Sequence, residues 1–159
     1  MDFMEMKNLK SKIKKYKLKL KILIILTLTG FLLLKTVNLF LADVAFAKGY
    51  RASLAGDYEP AARLIEAAVK LNRHEPTYYR ELADAYCMQG NLALCLENAA
   101  TALSLNPNDS LTLKALIKTF IRAKMFANAN LLTNDLLMLT PTDEESRQLK
   151  DYLNQFPPQ

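Results

Sequence analysis

At 159 residues the chain has room for one modest domain plus a membrane or targeting segment. Its net charge of +5 is unevenly held: residues 1–21 carry eight lysines against Asp2 and Glu5, while residues 43–159 carry 12 basic and 14 acidic side chains. The main body therefore lacks the basic face that a nucleic-acid partner requires, and its two cysteines make neither a disulfide framework nor a zinc site.

Residues 1–21 form a basic leader. Leu9, Ile13, Tyr16 and Leu20 recur at helical spacing, and a basic amphipathic helix of this kind would lie on an anionic leaflet. Orienting a span needs no such structure, so the leader is read as a solvated topology signal. Ile22 to Ala42 follows, 21 residues of which fourteen are Leu, Ile, Phe or Val. As a helix this segment is about 31 Å long, the thickness of a bilayer's hydrocarbon. The apolar residues contribute roughly −4 to −8 kcal/mol to insertion, against at most about 3 for Lys35. Lys35 also lies nearer the distal end, from which its ammonium is expected to snorkel outward. The lysines before the span predict a cytoplasmic N-terminus and an extracytoplasmic remainder. Ala45-Phe46-Ala47 has the form of a signal-cleavage site, and secretion after cleavage is the alternative. The cut would remove much of the next helix, which favours an uncleaved anchor.

Beyond the span, Leu71-Asn72-Arg73, Leu105-Asn106-Pro107 and Leu139-Thr140-Pro141 stand 34 residues apart. A constant period of that length marks stacked helical hairpins. Three units are expected, 43–76, 77–110 and 111–141. In the first, residues 43–55 are expected to form a helix that can run on from the span, and Gly56-Asp57 breaks it. Asp57 is the expected cap of a helix over Tyr58 to Leu71, with Ile65, Ala68, Val69 and Leu71 on its apolar face. Thr77 is the expected cap of the next helix, where Tyr79, Leu82, Ala83 and Tyr86 form the stripe. After Gly90-Asn91, the returning helix packs through Leu92, Cys95, Leu96, Ala99, Ala102, Leu103 and Leu105. Cys95 fills a small buried position. Cys87 lies near the end of the preceding helix; a bridge across the hairpin is open to the pair in an oxidising compartment, although helix geometry does not obviously bring the two sulfurs together.

In the third unit Leu113, Leu116, Ile117 and Phe120 face inward, Lys124-Met125-Phe126 replaces the glycine turn, and Ala129, Leu132, Thr133, Leu136, Leu137 and Leu139 return. Thr142 and Glu145 have the spacing of a capping box for a last helix over 142–154. Its charges suit a solvating cap on the stack. Residues 155–159, with Phe156-Pro157-Pro158, form a tail.

This pattern resembles the tetratricopeptide repeat (TPR) family. The middle copy carries Tyr79, Leu82, Ala83, Tyr86, Gly90, Asn91, Cys95, Ala102 and Pro107. The first carries Gly49, Gly56, Asp57, Tyr58, Ala61 and Ala68, and the third Leu116, Phe120, Ala129 and Pro141. Over residues 43–141 the resemblance implies a right-handed α-solenoid of about three hairpins; with the transmembrane helix before it and a capping helix after it, the chain is expected to be all-α. The resemblance also implies a concave groove lined by Phe46, Tyr50 and Ser53, then Arg80, Asp84 and Cys87, then Lys114, Lys118 and Ile121. Helical spacing independently puts each trio on one face. The groove is expected to be aromatic at one end and cationic at the other, where Lys114 and Lys118 would meet a carboxylate or phosphate. The asparagine set with which family members grip a C-terminal carboxylate is missing.

The layout of a last membrane helix running into such repeats, with the phrase Leu71 to Leu82, is also similar to the C-terminal end of O-antigen ligase-like bacterial membrane proteins.

No catalytic signature accompanies the repeats. His74 stands alone in a loop, the glycines are dispersed, and Asp143-Glu144-Glu145 suits a helix start. Neither enzyme activity nor a cofactor or metal is expected. The expected function is a membrane-anchored scaffold that holds a protein or peptide partner in its groove within an envelope assembly. The alternatives are a subunit or appendage of a membrane glycan-polymer system, with Thr27, Thr29 and Gly30 letting another helix approach, and a self-assembling homo-oligomer or filament through exposed Met125 and Phe126.

Overall fold

The computed structural model describes residues 3–155, with side chains described for Met4 and from Lys14 onward. Among the described residues all regular structure is helical: α1 (Phe3–Leu54), α2 (Tyr58–Leu71), α3 (Pro76–Met88), α4 (Leu92–Leu105), α5 (Ser110–Arg122), α6 (Phe126–Leu139) and α7 (Glu144–Leu153). The chain divides into two compact units, Met1–Phe40 and Leu41–Gln159.

The first unit is helix throughout its described length. The leader, expected to need no fixed structure, is helical from Phe3. Side chains Leu9 and Ile13 of its apolar stripe lie outside the described residues, and Tyr16 and Leu20 are exposed. The stretch Lys14–Leu54 contains a window long and apolar enough to cross a membrane, none of it buried. Thr27, Thr29 and Thr36 donate their hydroxyls to carbonyls three or four residues back, at 2.9–3.0 Å. A polar side chain inside an apolar helix is satisfied in this way without a partner.

The second unit begins with the last turns of α1. These pair with α2, α3 pairs with α4, α5 pairs with α6, and α7 packs on α6. Gly49 is buried, and a Cβ built on it would come within 2.7 Å of Ile65 and 3.0 Å of the Ala61 carbonyl. Only glycine lets α1 and α2 approach this closely. Ala61, Ile65, Ala68, Tyr78 and Leu82 form one core cluster, and Ala83, Cys95, Leu116, Ile117, Leu136 and Leu153 belong to a second. Leu71, Leu92, Leu96, Leu105 and Leu139, expected inside, remain exposed.

The three hairpin turns share one geometry. The amides of Asp57, Asn91 and Met125 donate to the carbonyls five residues back, at 2.9, 2.9 and 2.8 Å. This is the Schellman closure of a helix end. It requires a left-handed residue before each of these amides, supplied by Gly56 (φ 85°), Gly90 (φ 77°) and Lys124 (φ 59°). Met125 and Phe126, expected to be exposed, are half-buried against the second cluster.

The helix starts correct two expected caps. Pro76 occupies the first position of α3, so Thr77 lies inside it, and Glu75 accepts from the Thr77 amide at 3.2 Å. Asp143, not Thr142, caps α7 by accepting from the Ser146 amide at 2.9 Å. Asp109 does the same for α5, accepting from Leu111 and Thr112. These three carboxylates stand 34 residues apart. Asp57 holds the position before α2, but its side chain makes no capping bond.

Candidate functional site

The nine residues expected to line a groove stand on α1, α3 and α5, one helix from each hairpin. On α1, Phe46 is half-buried and stacks on Tyr78 with centroids 4.8 Å apart and on Tyr50 at 6.0 Å. Tyr50 stays exposed and Ser53 is half-buried. The Tyr78 hydroxyl donates to Asp43, joining α1 to α3. Burial first, and the Asp43 carboxylate second, raise this phenol's pKa above its ordinary value.

On α3, Arg80 pairs with Glu81 at 3.0 Å, both largely covered. Burial raises the Glu81 pKa, and the guanidinium opposes the rise. Asp84 is buried. It accepts from Thr119 Oγ1 at 2.6 Å and from the Arg122 guanidinium, which ties α3 to α5. A buried carboxylate held by two donors is satisfied, and removing either donor would expose its desolvation cost.

Cys87 is also buried, bonded to Cys95 of α4, with Cα atoms 5.0 Å apart. Of the two arrangements that the sequence leaves open, this is the bridged one. The residues lie three before and five after Gly90, and the turn folds them onto facing sides of one hairpin. Cys87 thus contributes a bridge to α4 and not a free side chain to the expected groove.

On α5, Lys114 meets Asp143 at 2.8 Å and Glu145 at 2.9 Å, and Lys118 meets Glu145 at 2.7 Å. Ile121 is half-buried against the core. Hydrogen bonds to Asp143 and Glu145 raise the Lys114 pKa. The reciprocal bond from Lys114, with those from Ser146, lowers Asp143 to about 2, and the bond from Lys118 leads in lowering Glu145. The cationic end expected from sequence is therefore charge-balanced: the start of α7 supplies carboxylates to both lysines. Lys118 and Arg122 keep more than half of their side-chain surface exposed.

The structure thus joins the α3 and α5 rows directly and links α1 to them through Tyr78. Sequence reading missed Thr119, Arg122, Asp143 and Glu145 as members of this surface. Their signal was the repeat itself: Arg122 stands one period plus one helical turn after Asp84, and Asp143 one period after Asp109. A separate open cleft of about 390 Å³ lies among α4, α5 and α6, lined by Leu103, Leu113, Leu132, Met138 and Leu139. Among the described residues no three His, Cys, Asp or Glu side chains gather as a metal site.

No protein-family model matches the sequence. Solved structures do resemble it. The TPR domain of Arabidopsis OM64 aligns with a TM-score of 0.62 at 18% identity, over 74% of this chain and 98% of that one. The first TPR domain of Spaghetti (RPAP3), bound to the HSP90 peptide SRMEEVD, aligns at 0.62 and 18% identity, over 74% and 95%. The TPR2B domain of yeast Sti1, in a complex with pHsp70, aligns at 0.60 and 16% identity, over 73% and 98%. The helical array of this chain has the fold of a tetratricopeptide-repeat domain.

Proposed function

We propose that the chain is a membrane-anchored adaptor whose repeats stand outside the cytoplasm and hold an extended peptide segment of a partner protein. The observation that carries this reading is the face shared by α1, α3 and α5. It offers an exposed aromatic ring at Tyr50 and the half-exposed side chains of Lys118 and Arg122, which are paired with Glu145 and Asp84, and Asp84 ties α3 to α5. Aromatic rings grip side chains of an extended peptide, and cations meet its carbonyls and carboxylates. Peptides bound to similar domains support the same use of the groove here. Because Lys114 already has two carboxylate partners, an internal segment suits this groove better than a free acidic tail.

Two independent features support the extracytoplasmic location. Eight lysines precede the apolar stretch of α1, the arrangement that retains an N-terminus in the cytoplasm. The Cys87–Cys95 bridge persists in oxidising compartments and is rare in the cytosol.

Peptide-library selection on the full chain in lipid nanodiscs tests the adaptor reading. Enriched peptides are expected to bind the parent and to lose affinity for Tyr50→Ala and Lys118→Ala. No enrichment, or equal binding to both variants, sinks it. A C-terminal alkaline phosphatase fusion tests the location: the reporter should be active, and an inactive but full-length fusion would place the repeats in the cytoplasm.

A further inference from the structure

Lys35 is the one ionisable side chain between Ile22 and Ala42. On the reading of this segment as a span, Lys35 sits 13 residues past one end and seven before the other, about 20 and 10 Å along the helix axis. Its nearer exit is the distal face, toward the repeats. However, the Cα–Cβ bonds of an α-helix tilt toward the N-terminus, and long side chains follow that direction. The Lys35 stem therefore leans toward the middle of the bilayer, away from the near surface. The outward snorkelling expected from position alone works against the helix's own geometry.

The polar neighbours sharpen the contrast. Thr27, Thr29 and Thr36 spend their hydroxyls on carbonyls of α1. Among the described residues, Lys35 and Asn38 have no such bond and no ion pair. At 100° per residue, Thr27, Phe31, Lys35 and Asn38 fall within a sector of about 80°, so the unsatisfied groups share one face. A charge held in hydrocarbon is costly unless paired, and the charge fixes the chemistry of its partner. A parallel second copy of α1 would bring another ammonium to the same depth and is disfavoured.

We propose that this face of α1 docks against a transmembrane helix of a different protein, and that Lys35 pairs there with an Asp or Glu carboxylate at matching depth. The anchor then selects a partner within the bilayer as well as holding the repeats at the membrane. This rests on the reading of α1 as a span, which alkaline carbonate tests separately.

The experiment uses the full chain in its own membranes. Treatment with a hydrophobic carbodiimide should join Lys35 Nζ to the partner carboxylate as an amide, the reagent taking up the lost water as a urea. Mass spectrometry should find Lys35 linked to an Asp or Glu inside an apolar segment of another protein. A photo-crosslinker at Phe31 should trap the same protein. One at Leu33, on the opposite face, should not. Lys35→Leu should abolish the Phe31 adduct, and Lys35→Arg should retain it. A chain that resists carbonate extraction but gives no Lys35 amide, or the same Phe31 adduct in Lys35→Leu, overturns the proposal and leaves the span standing. Extraction by carbonate overturns both.

Discussion

The second hairpin, α3–α4, turns through Gly90 and places Ala83, Cys95 and Ala102 between its helices. The third, α5–α6, turns through Lys124 and places Ile117, Ala129 and Leu136 at the same repeat positions, all fully buried. The turn hydrogen bonds are nonetheless the same to within 0.1 Å, from Asn91 to Tyr86 at 2.9 Å and from Met125 to Phe120 at 2.8 Å. Backbone geometry is therefore common to the two hairpins, and the interior is solved twice. The second brings its helices close through alanine-sized contacts and fastens them with a disulfide. The third holds its helices apart with larger side chains and gains an outer wall from α7, whose Leu153 is fully buried in the shared core.

Exchanging the interiors breaks the comparison most directly. Leu136→Ala, which gives the third hairpin the alanine of the second, leaves a cavity and is expected to cost about 2–5 kcal/mol. The reverse change, Ala102→Leu, forces a larger side chain into a fully closed contact and should cost about 1–3 kcal/mol. Both are read from denaturant unfolding of the full chain in nanodiscs. If Ala102→Leu leaves stability unchanged, α3 and α4 do not nest as described. Between these in size stands the disulfide. Closing a loop of about nine residues restricts the unfolded chain by about 2–3 kcal/mol on the loop-entropy model. The double variant Cys87→Ala, Cys95→Ala should lose this amount, and reductant should then have no further effect.

The turns sharpen the comparison at a smaller scale. A lysine at φ 59° pays a steric cost that glycine escapes. Part of that gain is returned as entropy of the more flexible unfolded chain, so Lys124→Gly should stabilise by roughly 0.5–1 kcal/mol. Gly90→Lys, the converse change, should destabilise by a similar amount. A destabilising Lys124→Gly would mean that the side chain does more at this turn than occupy it.

Most of the hairpin architecture was legible because packing imposes a period. The small residues Cys95 and Ala129 followed from the 34-residue spacing, the bounds of α2 from the Gly56-Asp57 break and its apolar face, and Ala83 and Ala102 from the helical stripes of the second unit. The caps were misread for a local reason: Thr77 and Thr142 have the side chains of good caps, but Pro76 starts α3 one residue earlier and Asp143 outcompetes Thr142. The period held the answer in Glu75, Asp109 and Asp143. The groove was less legible. Spacing puts Lys114 and Lys118 on one face but does not reveal that the next helix returns two carboxylates to them. Asp84 was read as a groove side chain, and its burial depends on Thr119 and Arg122 more than one repeat away. Pairings between helices are set by tertiary approach, which a single helix's periodicity does not encode.

The smallest effect concerns the wall that only the third hairpin has. Asp143 is lowered to about 2, first by its bond from Lys114. A carboxylate depressed on folding stabilises the fold above its unfolded value of about 3.9 and loses that contribution as pH falls through its folded value. The same sign holds for Glu145. Glu81, raised by burial, has the opposite sign: its stabilisation is present at low pH and is lost as pH rises through its elevated value. Lys114→Met should therefore lower Tm relative to the parent near neutral pH, with the gap narrowing from about pH 4 toward pH 2 and closing below. The pair is partly solvated, so the gap should be the smallest of this series and should shrink in added salt. The Ala102→Leu gap has no titrating origin and should persist across the same range. A Lys114→Met gap that survives at pH 2 would show that the lysine acts through its aliphatic stem, and that α7 is held by packing around Leu153 rather than by charge.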